Sequence, residues 1–335
     1  MTWGEVLTGG FEQAIGPTAV FFCLAAIGLN IHFGYTGLLN FGQAAFMMVA
    51  AYCLSSMVST WDVNFWIAIV TGLGGAAVLA LLMGVPTLRL RADYLAIVTI
   101  AGAEAIRQIL GAASLSEYFG GQTGRTGFVA TYQSLNPFSS DISIGIGSFD
   151  VNWRPYDFFV MVTGWSLVAI FSVAVFLLIR SPWGRVLKGI REDEDAVRSL
   201  GKNVYSYKMQ SLLIGGLIGA FAGFWSAFAS ASTAPSDFAT DTTFFAWTIL
   251  LLGGAARVLG PIAGTIIFWF FITALELFFI RATLPGENII PTAIMDQNQA
   301  SLVRLIVLGV VLMLLMIYRP QGMFGDRREL ALDEH

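Results

Sequence analysis

Charge is the scarcest thing in this chain. Only 12% of its 335 residues are Asp, Glu, Lys or Arg and 56% are hydrophobic, with a mean hydropathy of +0.73. An average soluble domain carries roughly 25% charged residues. So few charges cannot cover the surface of a soluble protein of this size. From Gln13 to Trp61 no charged residue occurs at all. That run exceeds the ~20 residues that cross a bilayer once and suffices for two crossings. The composition calls for an integral membrane protein.

Other absences exclude chemistry. There are two histidines, His32 and His335, and no cysteine pairs near them, which rules out a metal cluster and leaves a nucleophilic triad without a base. The two cysteines, Cys23 and Cys53, sit in apolar runs and read as packing residues. The first basic residue is Arg89, so the N-terminus lacks the positive segment of a cleaved secretory signal. A net charge of −4 does not suggest a nucleic-acid partner. A phosphate-binding loop needs Gly-x-x-x-x-Gly-Lys-Ser/Thr, so that backbone amides and a lysine cradle the phosphates. The one Gly-Lys pair, Gly201–Lys202, has Ala196 in place of the first glycine and Asn203 in place of the hydroxyl. The chain is expected to bind no cofactor and to draw any energy from a partner or an ion gradient.

What is present is a series of apolar windows near 16–34, 38–58, 64–86, 93–113, 156–179, 209–230, 242–256, 260–280 and 302–318. The expected fold is an all-α polytopic membrane protein of about 8–9 transmembrane or re-entrant helices in a single domain, 1–335. The window 242–256 is short enough to be re-entrant. The ten-residue alternation of a membrane barrel is absent. Basic residues collect in three places: Arg89 and Arg91, seven within 180–208, and Arg319, Arg327 and Arg328. Threading the spans in order puts all three on one side, which the positive-inside rule makes cytoplasmic. The loop 114–155, with turn residues and short alternating runs, is then extracytoplasmic and suits a small hairpin cap. The loop 180–208 and the tail 319–335 are cytoplasmic, and the N-terminus falls outside unless 16–58 is a broken pair.

Glycine totals 36 residues, concentrated in the spans. Gly215, Gly219 and Gly223 recur every four residues, a stripe on which another helix backbone can close in. Two clusters interrupt spans: "GLNIHFGYTGLLNFGQAAF" (Gly28–Phe46) and "LLGGAARVLGPIAGT" (Leu251–Thr265). Each is either a broken helix beside a translocation path or an ordinary tight turn. Glu104 and Arg107, three apart on one span, and Glu276 and Arg304 on the last two are costly in a membrane. They form internal ion pairs or line a polar path.

Against this background "RSPWGRVLKGIREDEDAVRSLGKNVYSYK", Arg180 to Lys208, stands out: it holds all three lysines and eleven of the forty charged residues. Ser181 and Pro182 suit an N-cap and first turn. Val186, Ile190, Val197 and Leu200 make an apolar stripe, and Gly201 suits a C-cap. The spacing predicts one amphipathic helix at the cytoplasmic surface. A purely basic helix would point to lipid headgroups. The acidic run Glu192 to Asp195 points instead to a protein partner, or to a solvated face.

These two glycine clusters and the charged stretch, with "RADYLAIVTIAGAEAIRQIL" and "RLIVLGVVLMLLMIYRPQGMFG", occur in an order that resembles the membrane permease subunits of bacterial high-affinity branched-chain amino acid (leucine/isoleucine/valine) ABC importers. The resemblance covers about residues 25–325. It implies the ABC importer permease fold with broken helices near the midplane, in the bacterial inner membrane. Implied partners are a second homologous permease subunit, two cytoplasmic ATPase subunits that use ATP and Mg, and an extracytoplasmic solute-binding protein. It also implies that the loop around Ser181–Gly201 is the coupling helix that docks on the ATPase, with Arg191, Glu192, Asp193, Glu194 and Gly201 as the contact. Asn30, Asn40, Gln43 and Glu104 are the candidates for the solute path. Two departures stand out: "GQTGRTG" (Gly121–Gly127) replaces an external Gly-Pro-Asn-Gly turn, and Ala255–Ala256 stand where glycine is common. Urea and short-amide permeases share the pattern and are the alternative solutes. An autonomous carrier using Glu104 or Glu276 as its ion site is the alternative mechanism.

Overall fold

The computed structural model describes residues 3–89, 92–146, 149–283, 297–319 and 321–325. Arg91, Arg327 and Arg328, and much of the loop 281–301 and the tail 319–335, lie outside them. In chain order the helices begin with α1 (Trp3–Ile15), α2 (Pro17–Leu29), α3 (Gln43–Ser59), α4 (Phe65–Thr87) and α5 (Ala92–Leu110). The loop that follows holds two short helices, α6 (Ser116–Phe119) and α7 (Ala130–Ser134), and three strands, β1 (Arg125–Thr126), β2 (Ile142–Ile146) and β3 (Phe149–Trp153). Next come α8 (Pro155–Arg180), α9 (Pro182–Glu192), α10 (Glu194–Ser199) and α11 (Val204–Ser230). A two-residue strand β4 (Ser232–Thr233) precedes α12 (Thr240–Gly253), α13 (Gly260–Ala282) and α14 (Gln297–Tyr318).

Each of the nine apolar windows lands on one helix, α2 through α5, α8 and α11 through α14. Five described helices are long and apolar enough to cross a membrane alone, and a sixth span results if α5 and the segment after it, bent by 58°, count together. Helix α12 has only 14 residues, in keeping with its short window. Helix α1 was not anticipated: two adjacent glycines and two glutamates break up its 13-residue hydrophobic pattern. It packs along α13, where Phe11 meets Phe270 edge-on with centroids 5.0 Å apart.

Hydropathy alone does not separate central from peripheral helices, because both kinds are apolar all round. Position does. The span Pro17–Tyr35 is 89% buried and forms the centre with α3 and α11. Helices α4 and α8 turn Val70, Leu82, Ile170 and Leu177 outward, each more than half exposed, as lipid-facing residues would be.

The glycine stripe on α11 sets how tightly this centre packs. A Cβ on Gly28 of α2 would fall 2.5 Å from the Gly215 carbonyl oxygen, one on Gly219 would strike the Gln43 side chain, and one on Gly223 would strike the backbone of Met47. These backbones pack at a distance only glycine permits. In the loop between α5 and α8, β2 and β3 form the antiparallel hairpin that the alternation suggested, with Ile142 opposite Trp153. Strand β1 pairs with β4, tying this loop to the one after α11. Both ion pairs expected within the spans form: Arg107 reaches Glu104 at 2.6 Å, and Arg304 pairs with Glu276 between α14 and α13.

Candidate coupling loop and helix break

The break at the end of α2 is built from its own side chains. After Leu29 the helix widens into a π-helical turn, Asn30–Tyr35, then runs irregular through Gly37 (φ +75°) until α3 starts at Gln43. Unwinding leaves backbone groups that must find partners without water. Thr99 Oγ1 accepts from the Phe41 amide at 3.0 Å, and Thr243 Oγ1 accepts from the Ala44 amide at 3.0 Å. The Trp247 indole donates to the Asn40 carbonyl at 3.1 Å. Of these partners only the polar character of the Gly28–Phe46 cluster was visible in the sequence; Thr99, Thr243 and Trp247 come from elements distant in sequence.

Asn30, Asn40 and Gln43 lie together here, each at most 1% exposed. Asn30 bridges the two glycine clusters: its amide donates to the Arg257 carbonyl at 2.8 Å, and its carbonyl accepts from the Ala256 amide at 2.9 Å. Gln43 donates to the Gly215 carbonyl at 3.2 Å. Asn40 contacts His32 Nδ1 at 3.1 Å, while His32 Nε2 lies 3.1 Å from the Leu212 carbonyl. In this conformation all three amides are buried and engaged within the fold, Asn30 and Gln43 on backbone carbonyls and Asn40 on His32, and do not face an open channel. His32, considered in the sequence only as a metal ligand, belongs to the same network. Among the described residues no group of His, Cys, Asp and Glu side chains could hold a metal ion.

The second cluster is a bend between α12 and α13, with Gly254 at φ +103° and Ala256 at φ +60°. Ala256 therefore holds a left-handed conformation that glycine adopts freely and alanine only at a cost of roughly 1–2 kcal/mol. The hydrogen bond from its amide to Asn30 helps to hold it there.

Glu104 is elsewhere. It lies on α5 with its side chain 38% exposed, and accepts from Arg107 and, at 2.7 Å, from Gln108. The structure does not bring it to the Asn30–Gln43 network.

The charged stretch is two helices where one was expected. Asp193, in extended conformation (φ −153°, ψ 103°), ends α9 and caps α10, its carboxylate accepting from the Asp195 and Ala196 amides. An aspartate prefers to cap a helix N-terminus over sitting inside a helix, which is why the chain breaks here. The break also rotates the predicted apolar stripe. Ile190 and Val197 are buried, together with Leu187, but Leu200 is 78% exposed. Ser181 occupies the N-cap position without capping; its hydroxyl donates to the Leu178 carbonyl at 2.6 Å. Gly201 has φ +74° after the last turn of α10, as a C-capping glycine should, and a Cβ there would meet nothing.

The predicted contact residues differ in what they do within the fold. Glu194 is paired with Arg198 at 2.7 Å and with Lys208 of α11. Asp193 is the cap. Glu192 is exposed and accepts no hydrogen bond from the described residues. Arg191 reaches inward, its guanidinium donating to the Gly34 carbonyl in the π-helical turn at 2.6 Å. Gly37 packs against the same residue, with Arg191 Cγ 3.5 Å from where a Cβ would lie. The surface loop and the buried helix break are thus joined at one residue.

A family model described as branched-chain amino acid transport system / permease component matches residues 17–316. The chain belongs to that family. It is a multi-pass membrane subunit of an ABC transport system, a transport component and not itself an enzyme. The high-affinity branched-chain amino acid permease protein LivM of Salmonella typhimurium is 29% identical, over 98% of this chain and 73% of its own length. A probable LivM of Methanocaldococcus jannaschii is 24% identical over 91% of each chain. The nucleoside ABC transporter permease NupC of Lactococcus lactis is 24% identical over 78% of this chain and 80% of its own. No solved structure matches.

Proposed function

We propose that this permease imports branched-chain or similar amino acids by alternating access, driven by separate ATPase subunits that dock on the α9–α10 loop. The observation that carries this reading is the Arg191–Gly34 hydrogen bond, which ties the exposed charged loop to the π-helical turn at the end of the most buried span. Force applied to α9 has a direct route to the one place where the central helix is already unwound. Exposed Glu192 and the uncovered Leu200 give a protein partner an acidic and an apolar handhold. This loop is then cytoplasmic, as is the C-terminal tail, and the hairpin loop meets an extracytoplasmic binding protein.

The pathway in this reading runs along the exposed side of α5, where a second homologous permease chain completes it. A partly exposed Glu104–Arg107–Gln108 group cannot face hydrocarbon cheaply and suits a water-filled gap between two chains. The autonomous-carrier alternative fares less well, because both carboxylates it needs, Glu104 and Glu276, are already held by arginine. The similarity to a nucleoside permease keeps a nucleoside in view as a second solute class.

Proteoliposomes holding the permease pair, its ATPases and its binding protein test the mechanism. Arg191→Ala is expected to leave ATP hydrolysis running while leucine uptake per ATP falls at least tenfold. Uptake by this chain alone, driven by a proton gradient without ATP, would sink the proposal. Titrating the binding protein with leucine, valine, urea and guanosine decides the solute. Failure to bind leucine or valine there overturns the amino acid assignment while leaving the coupling mechanism standing.

A further inference from the structure

A pocket of about 420 Å³ opens among α1, α2, α8 and α11, at the end of α8 away from the charged loop. Asp157 stands in the first turn of α8 and Arg180 in its last, so ~35 Å of helix separates the pocket from that loop. Three half-buried carboxylates line it: Glu12, Asp157 and Asp237. Asp237 accepts from the Ala234 amide at 2.9 Å, but Glu12 and Asp157 have no hydrogen bond or ion pair among the described residues. No Lys or Arg among the described residues lines the pocket, and the segment 284–296, outside them, contains neither. Trp153, the last residue of β3, walls the same pocket. It is 6% exposed, and its indole N–H is buried without an acceptor.

We propose that this pocket receives a basic side chain from the solute-binding protein as it docks on this end of the permease. Carboxylates held close together and partly out of water repel one another, and a cation placed among them relieves the repulsion. The indole N–H needs an acceptor as well, and a basic side chain brings one in the backbone carbonyls of its own loop. A single metal ion does not fit, because no group of His, Cys, Asp and Glu among the described residues could close on one. A zwitterionic lipid fits poorly. Its phosphate would enter beside three carboxylates, and the aromatic walls, Phe21 and Trp153, are each 6% exposed and offer an acyl chain no open surface. The hairpin favours a protein: β3 ends at Trp153, so a partner resting on the hairpin reaches the pocket without leaving its contact. The proposal rests on the reading of this chain as an importer permease with an extracytoplasmic binding protein, and it names the chemistry of that contact.

The assembled importer in nanodiscs is titrated with its solute-binding protein, and association is read by biolayer interferometry. Glu12→Gln with Asp157→Asn is expected to weaken association at least tenfold, as removing one side of an interfacial charge pair does, while Tm holds or rises. Trp153→Phe keeps a ring and loses the N–H, and should weaken association about fivefold, the worth of one hydrogen bond. Glu117→Gln, an exposed carboxylate on α6 outside the pocket, should have no effect. Unchanged association of the double variant overturns the proposal and leaves the importer reading standing. Equal loss from Glu117→Gln reduces the pocket to general surface charge and also overturns it. So does phosphatidylethanolamine that native mass spectrometry finds retained by the unmodified chain and lost from the double variant. A binding protein that fails to associate with the unmodified importer overturns both readings together.

Discussion

Two polar regions of this molecule, joined at Arg191, are built in opposite ways. The break at the end of α2 turns Asn30, His32, Asn40 and Gln43 inward and gives each a hydrogen-bond partner. The α9–α10 loop turns Glu192 and Leu200 outward, and among the described residues the Glu192 carboxylate accepts no hydrogen bond. In a membrane interior an unpaired polar group costs several kcal/mol, so the break must be self-sufficient. In water the same group costs nothing, so the loop can keep groups in reserve for a partner. Polarity in the first region maintains the fold; in the second it is available for binding.

Substitutions should separate the two. The largest effect is expected at the packing that frames the break: Gly223→Val places a branched side chain against the Met47 backbone, which cannot retreat. A loss of about 3 kcal/mol or more follows from overpacking, read as a collapse of monodisperse protein on size exclusion. Asn30→Leu comes next. It strands the Ala256 amide and the Arg257 carbonyl and should cost about 2 kcal/mol, visible as a lowered Tm in detergent. Ala256→Gly works in the other direction. Relieving the left-handed alanine should raise stability by about 1 kcal/mol, and a lowered Tm would show that the bend is not strained. At the α9–α10 loop, Glu192→Ala with Leu200→Ala should leave Tm unchanged and weaken ATPase association in pull-down by tenfold or more. If that pair lowers Tm as much as Asn30→Leu does, the distinction between the two regions fails.

A smaller test concerns the pocket lined by Glu12, Asp157 and Asp237, where burial and the nearby Asp157 raise the Glu12 pKa above the usual carboxylate value. A raised folded-state pKa means stability present at low pH and lost as pH rises through it. Glu12→Gln should therefore stabilise slightly at pH 7 and have no effect at pH 3, measured as Tm against pH.

The membrane character, the nine apolar windows and the hairpin were legible in the sequence because each depends on local composition or periodicity. So was the existence of a charged element between two spans. Three features were not. Helix α1 is too short and glycine-rich to signal itself and is supported by α13. The split at Asp193 was missed because an apolar period can be counted across a capping residue, although the cap itself could have been read from Asp193 standing two and three residues before the amides it accepts from. The role of Asn30, Asn40 and Gln43 was invisible for a different reason. Residue type marks a polar group in a membrane as needing a partner, but Ala256 and Arg257 supply it for Asn30, Gly215 for Gln43, and Leu212 for the His32 ring that Asn40 contacts, each from more than 170 residues away.

By itself, then, the sequence determined the solvent this protein lives in, where the long apolar helices lie, and where charge is allowed, since all of these follow from hydropathy summed over a short window. The tertiary structure alone decided which of the equally apolar helices is central, that the two glycine clusters are stitched together through Asn30, and that Arg191 connects the charged loop to the break. Those outcomes depend on hydrogen bonds and close backbone contacts between segments far apart in the chain, and such contacts leave no periodic trace along it.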